Sequence, residues 1–203
     1  MLTRRRMLAM SVGTTAAILT ASNQSVARSM PSAEEVLFDP AIPVFGNPKG
    51  DVTIVEYFDY QCGYCKQAHP GLLNVVKSDG NIRLVMKDWP IFGSASVYAA
   101  RLALGASATR EYREVVGTLM ATRSRLDKRQ VDSVLHRAGL DPVSLANGAE
   151  QQQSKISNIL ARNKAQARAF RFIGTPSFVV GTKVLKGFQN EKSLREAVAE
   201  ARA

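Results

Sequence analysis

The order of apolar runs predicts an α/β fold, a small sheet flanked by helices and interrupted by a helical insertion. Three observations in the 203-residue chain lead there. A β-branched, aromatic run at Val52–Phe58 leads directly into a helical stretch, and a second such run occupies Ile82–Met86. Near the C-terminus, Ser177–Val180 and Lys183–Leu185 flank Gly181-Thr182 in the manner of a hairpin. Between these parts, over about residues 94–170, the apolar positions repeat at helical spacing.

Taken in order, residues 1–27 carry the pattern of a cleavable signal peptide. Arg4, Arg5 and Arg6 form a positive segment, Met7 to Leu19 is uncharged and mostly apolar, and Ser25-Val26-Ala27 puts small residues at a signal-peptidase site. Thr3-Arg4-Arg5-Arg6-Met7-Leu8 also resembles a twin-arginine signal, so both the general secretory and the twin-arginine routes stay open. The apolar run is too short and too diluted by Ser, Gly and Thr to span a bilayer comfortably, and an uncleaved anchor or a disordered N-terminus stays open as the alternative.

Residues 28–50 contain Pro31, Pro40, Pro43 and Pro48 and read as an extended lead-in, in which Val36-Leu37-Phe38 offers a short strand. Val52–Phe58 is a buried strand by composition. Asp59-Tyr60-Gln61 turns the chain into Cys62-Gly63-Tyr64-Cys65, and Cys65 to Val76 is helical, ending near Asp79-Gly80. Ile82–Met86 is the second strand, stopped by Trp89-Pro90. Ser94 to Ala106 is apolar and helical, and Tyr112, Val115, Val116, Leu119 and Met120 continue at helical spacing. Asp127 with Gln130 forms a capping box, and Asp141-Pro142 supplies a cap and a first-turn proline. Ile156, Ile159 and Leu160 mark a long helix to about Phe170, and Glu191 to Ala201 closes the chain as a helix.

The formal net charge is +10, and loss of Arg4, Arg5 and Arg6 with the signal peptide leaves +7. The remaining basic residues (Arg123, Arg125, Lys128, Arg129, Arg162, Lys164, Arg168, Arg171) are scattered over the helical middle without interleaved aromatics. That describes a solvated face rather than a nucleic-acid site.

Cysteine usage is more informative. The two cysteines of the chain both lie in one C-x-x-C. A disulfide closing so small a loop restricts the unfolded chain little, so stapling is a poor reason for it. Cys62, at a helix start, faces unpaired N–H groups and the positive end of the helix dipole, which favour a thiolate. The thiolate attacks disulfides, and Cys65, one turn on, is placed to attack the resulting mixed disulfide. One cysteine should therefore be exposed and acidic, the other shielded. A structural bridge and a partial metal site stay open beside the redox reading, although zinc wants four ligands and only His69 and His136 remain as nitrogen donors.

A strand, a C-x-x-C at a helix start and a late Gly174-Thr175-Pro176 before a hairpin resemble the thioredoxin fold. With the helical block inserted between the second strand and the proline, the chain resembles the bacterial DsbA-like thiol–disulfide oxidoreductases over residues 51–203. The resemblance implies a cis Pro176 that faces the cysteines and, with Thr175, aligns a substrate's backbone. It implies that Glu56, six residues before Cys62, is the buried acid beneath the site; a carboxyl in an apolar strand has a raised pKa and can relay a proton for Cys65. Pro70 matches a kink in the family's first helix. Gly63 and Tyr64 lie on the substrate side and tune the potential, which spans roughly −270 mV in thioredoxin to −120 mV in DsbA.

Gly63-Tyr64 departs from the Pro-His of the strongly oxidising DsbA enzymes, and Thr175 from their Val; both resemble the DsbC-type isomerases. Those isomerases carry a separate dimerisation domain, for which residues 28 to about 43 are too short. Disulfide formation is therefore the first expectation, isomerase or reductase activity the alternative, and a non-catalytic metal-binding or surface module the second. The implied partners are cysteine-containing exported proteins of the periplasm and a membrane redox partner that resets the cysteines. No nucleic acid, cofactor or metal is expected.

Overall fold

The computed structural model describes residues 30–203. The signal-peptide reading of residues 1–27 lies outside the described residues. The lead-in holds a short helix, α1 (Ala33–Leu37), and a strand, β1 (Val44–Gly46). A helix thus stands where Val36-Leu37-Phe38 suggested a strand. The reason is local: Ser32 Oγ accepts from the Glu35 N–H (3.2 Å) while a Glu35 carboxylate oxygen accepts from the Ser32 N–H (2.9 Å). This capping box outweighs the β-propensity of three apolar residues. Arg83 donates to the Leu37 carbonyl and holds the helix end against the sheet.

β2 (Val52–Phe58) and β3 (Ile82–Asp88) are parallel and joined by α2 (Gly63–Asp79). β1 pairs antiparallel with β3 at one edge. After the helical block, β4 (Ser177–Val180) pairs antiparallel with β2, and β5 (Lys183–Lys186) with β4, giving the order β1-β3-β2-β4-β5. Every residue of β2, β3 and β4 is buried, as strands covered on both faces must be. α2 passes unbroken through Pro70 and ends at Gly80, whose φ of 76° terminates it in the left-handed region.

The inserted block comprises α3 (Ser94–Gly105), α4 (Tyr112–Met120), α5 (Lys128–Arg137), α6 (Pro142–Gln151) and α7 (Gln153–Ala169). The expected caps form: Asp127 and Gln130 exchange hydrogen bonds of 2.8 Å each, and Asp141 accepts from the N–H groups of Val143 and Ser144. α3 and α6 approach at glycine, since a Cβ on Gly105 would sit 2.6 Å from the Leu145 carbonyl oxygen. The last helix, α8 (Glu191–Arg202), packs beside α2 against β2 and β4.

Strand alternation decides what lies under the cysteines. The Tyr57 hydroxyl donates to Gln166 on α7 (2.9 Å), so neighbouring Glu56 points to the opposite face. An ion cluster around buried Asp39 secures the lead-in: its carboxylate accepts from Lys87 Nζ of β3 (3.4 Å) and from Arg162 Nε of α7 (2.9 Å).

Candidate active site

The end of β2 delivers the chain to the site through Asp59. This buried carboxylate accepts from the N–H groups of Gln61 (2.7 Å), Ile91 (2.6 Å) and Phe92 (3.1 Å). One side chain thereby fixes both the approach to the cysteines and the loop that follows β3. The Cys62 N–H donates to the Asp59 carbonyl (3.0 Å), and Cys62 becomes the N-cap of α2, its Sγ accepting from the Cys65 N–H (3.4 Å). Both cysteines are free thiols.

Across from them lies the turn before β4. The Thr175–Pro176 peptide bond is cis, and the Cys62 thiol donates to the Thr175 carbonyl (3.1 Å). Cys62 is only 4 % exposed, less than the sequence suggested, because this turn covers it. Cys65 is fully buried behind it. Gly63 and Tyr64 sit on the rim, with Tyr64 65 % exposed and its ring centroid 6.3 Å from that of Phe188.

The two thiols differ sharply in acidity. Cys62 is pulled down to about 6, chiefly by its hydrogen bond with the Cys65 side chain; the Thr175 side chain and the N–H groups of Cys65 and Tyr64 add to this against a burial penalty. Ionisation turns the contact with the Thr175 carbonyl into one between electron-rich atoms. The buried Thr175 hydroxyl, which has no other partner, is then the group on that residue able to donate. Cys65 is pushed up by burial first, then by its hydrogen bond to Cys62 and by the charges of Glu56 and Cys62. The pair holds one proton at neutral pH, and it sits on Cys65.

Glu56 is fully buried beneath the pair, and neither of its oxygens has a hydrogen-bond partner. Burial, then the charge of Cys62, pushes its pKa up to about 8, so it is a neutral acid when Cys62 is already a thiolate. Of the sequence-selected residues, the structure gathers Glu56, Cys62, Gly63, Tyr64, Cys65, Thr175 and Pro176 in one place. His69 does not join them as a base: it is buried, its nitrogens have no partners, and burial lowers its pKa to about 4. Among the described residues no three His, Cys, Asp or Glu side chains are arranged to hold a metal.

Two grooves border on each other at Tyr64 and Thr175, and Cys62 lines the second. One is lined by Tyr64, Ile173, Pro176, Lys186 and Phe188 and is largely apolar, with Ile173 98 % exposed. The other is lined by Lys66, Phe92, Arg123, Arg125 and Thr175. Sequence reasoning missed this second wall, placing Arg123 and Arg125 on a general solvated face; they follow the cysteines by 58 to 63 residues and only the fold brings them there. It also passed over Asp59 and Gln61 as turn residues, although an Asp between a strand and a helix start is itself a signal for side-chain capping of backbone N–H groups.

Residues 39–200 match the thioredoxin family, and the chain belongs to that family. With its inserted helices and cysteine pair, it is a thioredoxin-like thiol–disulfide oxidoreductase. A thioredoxin-like oxidoreductase from Silicibacter pomeroyi is 37 % identical, covering 85 % of this chain and 98 % of that one, with a TM-score of 0.80. A periplasmic thioredoxin-like protein from Salmonella enterica serovar Typhimurium is 28 % identical over 83 % of this chain and 94 % of its own (TM-score 0.74). The thiol-disulfide exchange protein alpha-DsbA2 of Wolbachia pipientis shares the fold at 24 % identity, covering 82 % and 90 % (TM-score 0.76). A curated relative, the Na(+)/H(+) antiporter NhaA 1 of Salinispora arenicola, is 26 % identical over 184 residues, which is 86 % of this chain and 28 % of the antiporter. The chain thus spans little more than a quarter of the length of that relative.

Proposed function

We propose that the protein is exported to the periplasm by residues 1–27 and forms disulfides there in cysteine-containing proteins. Cys62 is the exchanging sulfur and Cys65 the resolving one. Glu56 relays the proton of Cys65, Thr175 and Pro176 guide the substrate backbone, and Gly63 and Tyr64 form the rim. The observation that carries this reading is the split acidity of the pair, Cys62 lowered to about 6 and Cys65 raised by burial. A stabilised Cys62 thiolate stabilises the reduced state, which makes the oxidised pair a better oxidant. A lowered pKa of the attacking thiol is also what thioredoxin (roughly 7) and DsbA (roughly 3.5) display.

The cycle balances without a cofactor. A substrate thiolate attacks Cys62 Sγ of the oxidised pair; the Cys62–Cys65 bond breaks, and Cys65 leaves and takes a proton, which Glu56 is placed to supply. A second substrate thiolate attacks the substrate sulfur of the mixed disulfide, and Cys62 departs as the favoured thiolate. Two electrons pass to the cysteine pair, and a membrane redox partner removes them.

Export is supported by the N-terminal pattern and by the periplasmic relative from Salmonella. A second reading, disulfide isomerisation, is favoured by Gly63-Tyr64 and Thr175. Refolding of ribonuclease separates the two. Rapid recovery from the reduced enzyme by oxidised protein, with little from the scrambled enzyme, supports oxidation; the reverse pattern supports isomerisation. Retention of both activities in a Cys62→Ser variant overturns both.

A further inference from the structure

We infer that the groove beside Cys62 selects acidic cysteine-containing segments, with Arg123 and Arg125 receiving carboxylates on one side of the substrate's cysteine. The inference rests on the oxidoreductase reading and names the substrate class of that same site. Its first support is the charge of the groove. Lys66, Arg123 and Arg125 line it together with Cys62, and no Asp or Glu does.

The second support is that the two guanidinium groups are unspent. Both arginines are exposed, and neither forms an ion pair among the described residues. Arg125 lies 5.1 Å over the exposed ring of Phe92, which holds its head at the groove wall while leaving its N–H donors free.

The third support is how the turn is held. Lys66 Nζ donates to the Ser124 carbonyl (2.7 Å), and the Leu126 N–H donates to Gln61 Oε1 (2.7 Å). Gln61 immediately precedes Cys62, and Lys66 immediately follows Cys65. The residues bracketing the motif therefore fasten the arginine turn at a set distance from the reacting sulfur. Lys66 spends its ammonium on this, which leaves Arg123 and Arg125 as the recognition groups. Beyond Thr175 the other groove is largely apolar, built from Tyr64, Ile173 and Phe188, with Lys186 as its one charged side chain. Two free guanidinium groups on one side of Cys62 stand against the single exposed ammonium of Lys186 on the other, so the preference is directional along the substrate.

The test uses the oxidised full chain and three peptides with one cysteine each: two Glu before the cysteine, two Glu after it, and a neutral control. Rates of peptide thiol loss are divided by each peptide's rate with uncharged dithiodipyridine, which removes the effect of Glu on the thiol's own reactivity. Each exposed guanidinium–carboxylate contact is worth about 1.4- to 5-fold, so one of the two acidic peptides should react about fivefold faster than the control at low salt. The advantage should vanish in 0.5 M NaCl, where the screening length is on the order of 4 Å.

Arg123→Gln with Arg125→Gln should bring the ratio to about one, and the Arg→Glu pair should turn it against acidic peptides. Having both pairs guards against one misfolding. Equal gains for both acidic peptides would mean general attraction to a basic protein and would overturn the inference. Equal normalised rates for all three would overturn it while leaving the oxidoreductase reading intact. No oxidation of any peptide would overturn that reading itself.

Discussion

Replacing Glu56 by Gln should stabilise the reduced protein at neutral pH and slow the release of bound substrate. The side chain is fully buried between Met86 and Phe178 of the adjoining strands, and its oxygens lack partners. Burial, then the charge of Cys62, moves its pKa from 4.5 to about 8. A carboxyl raised in this way contributes stability in full below its unfolded value and loses it as pH rises toward the folded one. At pH 7 Glu56 is protonated when folded but ionised when unfolded. At about 1.4 kcal/mol per pH unit above 4.5, that costs about 3 kcal/mol.

Gln has the same shape and carries a similar burden of buried polar atoms, but it takes up no proton. The variant should therefore gain about 3 kcal/mol at pH 7 and almost nothing at pH 4.5. Urea unfolding of the reduced proteins at the two pH values measures this. An equal effect of Gln at both pH values would refute the assignment of a raised pKa. The functional half of the prediction is opposite in sign. In a mixed disulfide Cys62 carries no charge, so one cause of the raised pKa is gone and the Glu56 carboxylate becomes available to take the Cys65 proton; without it, resolution of a trapped mixed disulfide should slow about 100-fold, the low end of acid–base contributions. An unchanged resolution rate would mean the proton leaves by another route.

Thr175→Val keeps the shape of the side chain and removes the hydroxyl that serves the thiolate. A hydrogen bond to a charged group is worth about 1.5–3 kcal/mol, so at this solvent-bordered position the Cys62 midpoint should rise from about 6 by about one pH unit. Ultraviolet absorbance of the thiolate follows it, and a midpoint still near 6 would count against the contact. Asp39→Asn leaves buried Lys87 without its carboxylate and should cost about 3 kcal/mol, lowering Tm by about 6–12 °C; a Tm within about 2 °C of the parent would show the cluster to be dispensable. Gly105→Ala gains about 1 kcal/mol of helix propensity, yet its Cβ would stand 2.6 Å from the Leu145 carbonyl oxygen. Overpacking should win by about 1–2 kcal/mol net, and a denaturation midpoint above that of the parent would contradict it.

Much of the fold was legible because its signals are local. Val52–Phe58 and Ile82–Met86 announce themselves as buried strands, the second running on to Asp88 in the structure; Asp127 with Gln130 and Asp141-Pro142 start helices through neighbouring residues, and Gly181-Thr182 closes a hairpin by its own geometry. Where a local signal competed with another it was misread: Ser32 and Glu35 cap a helix over a stretch whose apolar residues alone suggest a strand. Strand β1 went unassigned because a three-residue edge strand is defined by its pairing with β3, not by its composition.

By itself the sequence determined the candidate site: the C-x-x-C at a helix start is readable over a few residues, and the family resemblance added the acid six residues earlier and the Thr-Pro before a hairpin. Only the tertiary structure decided the surroundings of that site. It laid Thr175 across Cys62 from 113 residues away, set Glu56 on the face turned from α7, and brought the Arg123–Arg125 turn to the mouth of the groove. Acidity and substrate preference depend on distances between residues remote in the chain, and those distances exist only once the sheet and the helical insertion have closed around the cysteines.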